Sequence, residues 1–113
     1  MHELSIIMNI INITEKELKK VKKKNVEQIE LEIGSISGVE ISSLDYVWKA
    51  AIRKTVLENA TLKINFIKAK AKCLTCKTTF KVEEVYDNCP KCNGYSKTIL
   101  QGKEIRIKSL EII

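Results

Sequence analysis

The 113-residue chain has one histidine, His2, and only six aromatic side chains. Phe66, Phe80, Tyr46, Tyr86, Tyr95 and Trp48 are all it can offer for stacking on bases or ligands. The sequence shows no nucleophile-plus-base arrangement and no glycine-rich phosphate loop, so the chain is not read as an enzyme. Long apolar runs are missing as well. The stretch LSIIMNIINI, residues 4–13, is too short to span a bilayer. It has no basic region before it and no small-residue cleavage site after it. The expectation is a cytoplasmic protein without a membrane partner. In that compartment thiols stay reduced, and paired cysteines usually mean metal rather than disulfide.

What the chain does have is a 44% apolar share, enough for one modest core: a single domain, or a domain with a small module. Its formal charge is +6. A basic excess raises nucleic acid as a partner. Lys68, Lys70, Lys72, Lys77 and Lys81 surround the first cysteine pair, so a nucleic-acid-binding zinc-ribbon protein is the rival reading. Two facts disfavour nucleic acid. The lysines are not interleaved with aromatics, and four thiolates around one divalent cation would lower the excess by two.

Helical spacing of Leu4, Ile7, Met8, Ile11, Leu18 and Val21 predicts a helix over residues 3–23, with Ile6, Ile10 and Ile13 widening its apolar face. The lysines at its end complement the negative pole of the helix dipole. Residues 26–33 alternate as a half-buried strand that Gly34 ends, and a loop follows. Ser42, with Asp45 three residues on, signals a capping box. Leu44, Val47, Trp48, Ala51 and Ile52 then form one helical stripe, with Trp48 in the core. Leu62, Ile64 and Phe66 alternate as a second strand. In the last segment the apolar parity changes between Ile105/Ile107 and Leu110/Ile112, which predicts a strand with a bulge or bend near Lys108 and Ser109. The fold class is α+β: a small three-stranded sheet with two helices, plus an inserted zinc-ribbon module. The expected division is residues 1–70 and 98–113 for the main domain and 71–97 for the module.

The strongest chemical signal is the C-x2-C-x12-C-x2-C pattern of Cys73, Cys76, Cys89 and Cys92. Each pair can turn two sulfurs toward one ion, and the dozen residues between form a hairpin that returns the chain. Four thiolates suit a closed tetrahedral zinc site. Iron is chemically possible, but zinc is the better fit. Two pairs without a surrounding βαβ unit argue against a thioredoxin-like redox site. A closed site makes the zinc structural, with room for a regulatory role. The residue after the second cysteine of each pair, Lys77 and Asn93, is expected in the left-handed region, which asparagine tolerates well and lysine does not.

His2 raises a separate question. Its bulk is expected to protect Met1 from removal. The terminal amine, the amide nitrogen and imidazole of His2, and the amide of Glu3 could then enclose one ion in a planar nitrogen set, which suits Ni(II) or Cu(II). Taken alone, a histidine near a terminus is more often simply solvated. The wider pattern changes the weighing. MHELSI, EIGSISGVE, the two CxxC pairs and QGKEIRIKSLEI, in that order, resemble the HypA/HybF family over essentially the whole chain.

That resemblance implies a nickel metallochaperone for maturation of [NiFe]-hydrogenase, or of urease. Transient Ni(II) would sit at Met1 (through its amine), His2 and Glu3, with Glu40 contributing nearby. Structural Zn(II) would sit at the four cysteines. The implied partners are a nickel-handling maturation GTPase and the hydrogenase large subunit, with the protein itself a monomer or weak homodimer. Two departures touch no implied ligand: Lys54-Thr55 stands where many members have Gly-Thr, and Cys92-Asn93 where they often have Cys-Gly.

Overall fold

The computed structural model describes residues 3–23 and 25–113. The elements are α1 (Glu3–Val21), β1 (Val26–Gly34), α2 (Ile41–Ala51), β2 (Thr61–Ile67), β3 (Lys70–Cys73), β4 (Thr79–Lys81), β5 (Lys97–Gln101) and β6 (Ile105–Ile112). They form two three-stranded sheets, ordered β2-β1-β6 and β4-β3-β5. The first sheet and the two helices are those expected from the sequence. Among the described residues no helix is long and apolar enough to cross a membrane.

Helix α1 buries Glu3, Ile7, Ile10, Ile11, Thr14 and Leu18. Leu4, Met8 and Val21, expected on that face, are instead 54%, 48% and 52% exposed. The buried stripe still keeps helical spacing, but two of its positions are polar, so counting apolar residues rotates it the wrong way. Thr14 is accommodated because its hydroxyl donates to the Ile10 carbonyl at 2.8 Å, leaving no orphaned group. The helix closes with Lys22 in the left-handed region (φ 56°). There the Lys23 amide donates to the Leu18 carbonyl at 3.1 Å, the six-to-one bond of a Schellman ending.

Helix α2 starts two residues earlier than a Ser42 cap implies. Glu40 is its N-cap and makes no side-chain capping bond, so the Ser42–Asp45 capping box does not form. The Ser42 hydroxyl donates to the Glu40 carboxylate instead, at 3.3 Å. Leu44 and Trp48 are the helix's buried residues, and Ile52 just beyond it is buried too.

Strand β1 sends Ile29, Leu31 and Ile33 inward with no exposure. Glu30 on the alternate face is paired with Lys108 at 3.6 Å and accepts from the Ser109 hydroxyl at 3.2 Å. In β6, Ile105, Ile107, Leu110 and Ile112 are half-buried while Lys108 and Ser109 are both exposed, which is the expected change of parity. Strand β2 also switches: Leu62 and Ile64 are half-buried, but Phe66 is exposed and Ile67 takes the inner position.

Contacts divide the chain into two units, Met1–Leu31 with Val39–Ile64 and Ile107–Ile113, and Glu32–Gly38 with Asn65–Arg106. The second unit includes more than the cysteine segment, because three stretches of chain meet in it. The amides of Gly34, Ser35 and Ile36 donate to the carbonyls of Glu104, Ile67 and Gly102, each at 2.9 Å. The Ser35 hydroxyl accepts from the Ala69 amide at 2.9 Å, and Gln101 Nε2 donates to the Lys68 carbonyl at 2.8 Å. Glycine is obligatory at two points of this crossing. A Cβ on Gly34 would lie 2.0 Å from the Gly102 oxygen, and one on Gly102 (φ 98°) would lie 2.4 Å from Ala69 Cα.

Candidate metal centre

Cys73 ends β3, and its turn is fixed by two backbone bonds. The Cys73 amide donates to the Thr78 carbonyl at 2.8 Å, and the Lys77 amide donates to the Cys73 carbonyl at 3.0 Å. The second turn repeats the same pattern. The Cys89 amide donates to the Gly94 carbonyl and the Asn93 amide to the Cys89 carbonyl, both at 2.8 Å. Lys77 and Asn93 sit at matching positions with φ 64° and 62°. The left-handed residue expected after each second cysteine is therefore present in both turns.

The Leu74 amide, which donates to the Ser96 carbonyl at 3.0 Å, ties the first turn to the chain leaving the second. The four sulfurs converge to within 4.8 Å of one another. The nearest pairs run between the turns: Cys73 to Cys92 at 3.5 Å and Cys76 to Cys89 at 3.6 Å. A disulfide needs about 2.05 Å. Four sulfurs about 2.3 Å from a tetrahedral zinc lie about 3.8 Å apart. The observed spacing thus fits a shared ion and not a covalent bond, and all four thiols are free. Cys73 and Cys89 are buried, Cys76 is half-buried and Cys92 is exposed.

Protonation follows the same geometry. The Thr78 hydroxyl, 3.3 Å from Cys76 Sγ, and then the Thr78 amide pull the Cys76 thiol down to about 6. The Cys76 amide leads in lowering Cys73. The Gly94 amide pulls Cys92 down, but the Cys73 thiol, desolvation and the remaining thiols together push it up to about 12. Negative charge therefore accumulates readily on the first turn and is resisted at the last sulfur. A divalent cation at the centre reverses that resistance by displacing the remaining protons.

Among the described residues this is the one grouping of three or more histidine, cysteine or acidic side chains able to hold a metal. The other expected ligands are placed as follows. Glu3 lies in the first turn of α1 and is buried; Glu40 is exposed at the start of α2. Met1 and His2 lie outside the described residues.

Lys77 supplies a test of the turn geometry. Lysine in the left-handed region costs about 1–2 kcal/mol, and glycine returns about 0.5–1 kcal/mol of that as unfolded-state entropy. Lys77→Gly is expected to stabilise the zinc-loaded protein by roughly 0.5–1 kcal/mol in denaturant titrations, with zinc stoichiometry unchanged. Unchanged or lower stability would mean that the turn relaxes without needing that conformation.

Two matched turns closing four thiolates on one point, carried by an α+β chain, define a protein with a built-in zinc module. Over residues 1–112 the chain matches the family described as "Hydrogenase/urease nickel incorporation, metallochaperone, hypA". It is 39% identical to a hydrogenase maturation factor HypA of Parabacteroides distasonis, covering 99% of this chain and 97% of that one. It is 35% identical to that of Azotobacter chroococcum, covering 99% of each. Its structure is similar to the solution structure of the Ni metallochaperone HypA from Helicobacter pylori, with a TM-score of 0.75, 30% identity, and coverage of 100% and 98%. The chain belongs to the HypA family of nickel-incorporation metallochaperones that act in hydrogenase maturation. Its four cysteines fit the zinc ion of such a protein.

Proposed function

We infer that Ni(II), the cargo, is held at the start of the chain by the amine of Met1, the amide and imidazole of His2 and the amide of Glu3, with Glu40 beside them. The observation that carries this reading is that the family match begins at residue 1, on the sequence Met-His-Glu. A planar nitrogen set suits Ni(II), while the soft tetrahedral thiolate set suits zinc, so the two metals sort by geometry. A site with few ligands at the end of a chain binds its ion without enclosing it, which suits a protein that must give the metal away.

In this reading residues 1–70 and 98–113 form the nickel-binding part and 71–97 the zinc ribbon, with zinc structural. The protein catalyses nothing itself. It works in the cytoplasm, as a monomer or weak homodimer, with a nickel-handling GTPase, and passes its ion to the large subunit of a hydrogenase or to urease. Calorimetric titration of tag-free, zinc-loaded protein with Ni(II) is expected to show one tight site per chain beyond the zinc. A titration without a saturable nickel site would overturn the reading.

A further inference from the structure

The second sheet has one face packed on a small core and one face open. Ala71, Cys73, Phe80, Val82 and Cys89 are buried beneath it, with Ile99 packed against them. On the other face the register places Lys70 opposite Lys81 on one side and Gln101 on the other, and Lys72 between Thr79 and Thr98. A register shift beside Lys70 leaves Leu100 as an extra, exposed residue on the edge strand.

Three lysines thus share one exposed face. Facing residues on paired strands lie about 5 Å apart, and alternate residues along a strand about 7 Å apart. Like charges directly opposite one another work against the sheet that carries them. Nothing on the sheet offsets them, because β3, β4 and β5 contain no acidic residue. The acids elsewhere in this unit are engaged in part: Glu32 pairs with Arg106, and the Asp87 carboxylate accepts from the Glu83 and Glu84 amides. Among the described residues Lys70, Lys72 and Lys81 form no ion pair.

We propose that this face, Lys70, Lys72 and Lys81 with Thr79 and Thr98 beside them, docks an acidic segment of a protein partner. Its chemistry is complementary to two or three neighbouring carboxylates. The threonine hydroxyls can donate to the same carboxylates, and Leu100 adds an apolar contact at the edge. The face presents no aromatic ring for base stacking and no arginine, which separates it from a single-strand nucleic-acid platform. The inference rests on the delivery role, since a metal donor must be held against its client or its partner during transfer.

The probe is a fluorescently labelled peptide of ten glutamates, titrated with full-length zinc-loaded protein at several salt concentrations. Wild type is expected to bind with an affinity that falls as salt rises. The triple variant Lys70→Gln/Lys72→Gln/Lys81→Gln is expected to bind at least about tenfold more weakly. A control that removes the same charge from exposed helical positions, Lys16→Gln/Lys19→Gln/Lys49→Gln, is expected to bind like wild type.

Zinc content and circular dichroism establish that the variants are folded. Nickel titration of the same samples separates this proposal from the delivery role: an intact nickel site with no peptide preference overturns the docking face alone. Equal losses in both triple variants, or no binding by wild type, overturn it as well. So does a deoxythymidine ten-mer that binds as tightly as the peptide through the same three lysines, which would assign the face to nucleic acid.

Discussion

Adding one residue before Met1 is expected to abolish tight nickel binding while every side chain of the protein stays in place. The extension converts the terminal amine into an amide. In the proposed chelate the amine is a ligand and closes the first ring, so its loss opens the whole set. An ordinary imidazole site would tolerate the change, because the ring of His2 is untouched. His2→Ala is expected to have a matching effect by the other route, removing the imidazole and keeping the amine.

Changes in the second coordination shell alone cost about 10–100-fold in metal affinity, and losing a ligand should exceed that. Zinc content is expected to remain normal in both variants, since the four cysteines that fit it begin at Cys73. Calorimetry with Ni(II), with circular dichroism to confirm folding, decides the matter. An extended protein that binds nickel as tightly as the native start would remove the amine from the mechanism, even if His2 proved essential.

Cys92→Ser is expected to release the zinc and disorder the chain between about residues 72 and 96, while the unit containing α1 and α2 stays folded. Cys92 is a discriminating choice because it is exposed. Its replacement removes almost no packing, so any large effect comes through coordination. The core beneath the second sheet has six buried residues, and two of them, Cys73 and Cys89, belong to the four-cysteine cluster that fits zinc. What remains is too small to hold three short strands, whereas structural zinc contributes about 10 kcal/mol or more in comparable small modules. The readouts are metal analysis and amide protection. Stoichiometric zinc that resists a chelator in the variant would show that three thiolates suffice and that the four-sulfur assignment is wrong.

The sequence is most legible where one residue type has one physical use. Two CxxC pairs point to one thiolate-bound metal, and the left-handed positions expected after each second cysteine are those that Lys77 and Asn93 occupy. The parity change in β6 is legible for a similar reason, since period two cannot carry both Ile105/Ile107 and Leu110/Ile112 to one side without a break. Legibility fails where burial and polarity part company. Thr14 and Glu3 are buried on α1 while Leu4 and Met8 are exposed, and a count of apolar residues cannot see a hydroxyl satisfied within its own helix. The capping box does not form because the helix takes Glu40 as its N-cap, two residues before Ser42, which places Ser42 and Asp45 inside the helix. The second sheet is not legible as a sheet, because its strands are three to five residues long and rich in lysine, with too little hydropathy contrast to register.

The crossing of Gly34–Ile36, Ile67–Ala69 and Gly102–Glu104 bears on how this protein can be taken apart. A zinc ribbon that enters and leaves through adjacent strands looks like a cassette, ready to be cut at its two ends and transplanted. Here the cut would leave frayed bonds. The carbonyls of Ile67, Gly102 and Glu104 accept from amides that precede α2, and the Ala69 amide donates to Ser35, far from the ribbon in the chain. A transplanted segment of residues 65–106 would carry those polar groups without their partners, and Gly102 would lose the close approach of Gly34. The separable piece is therefore discontinuous. Any host given this ribbon together with its flanking strands must also be given the short stretch around Ser35, so the inserted module leans on a distant part of the chain.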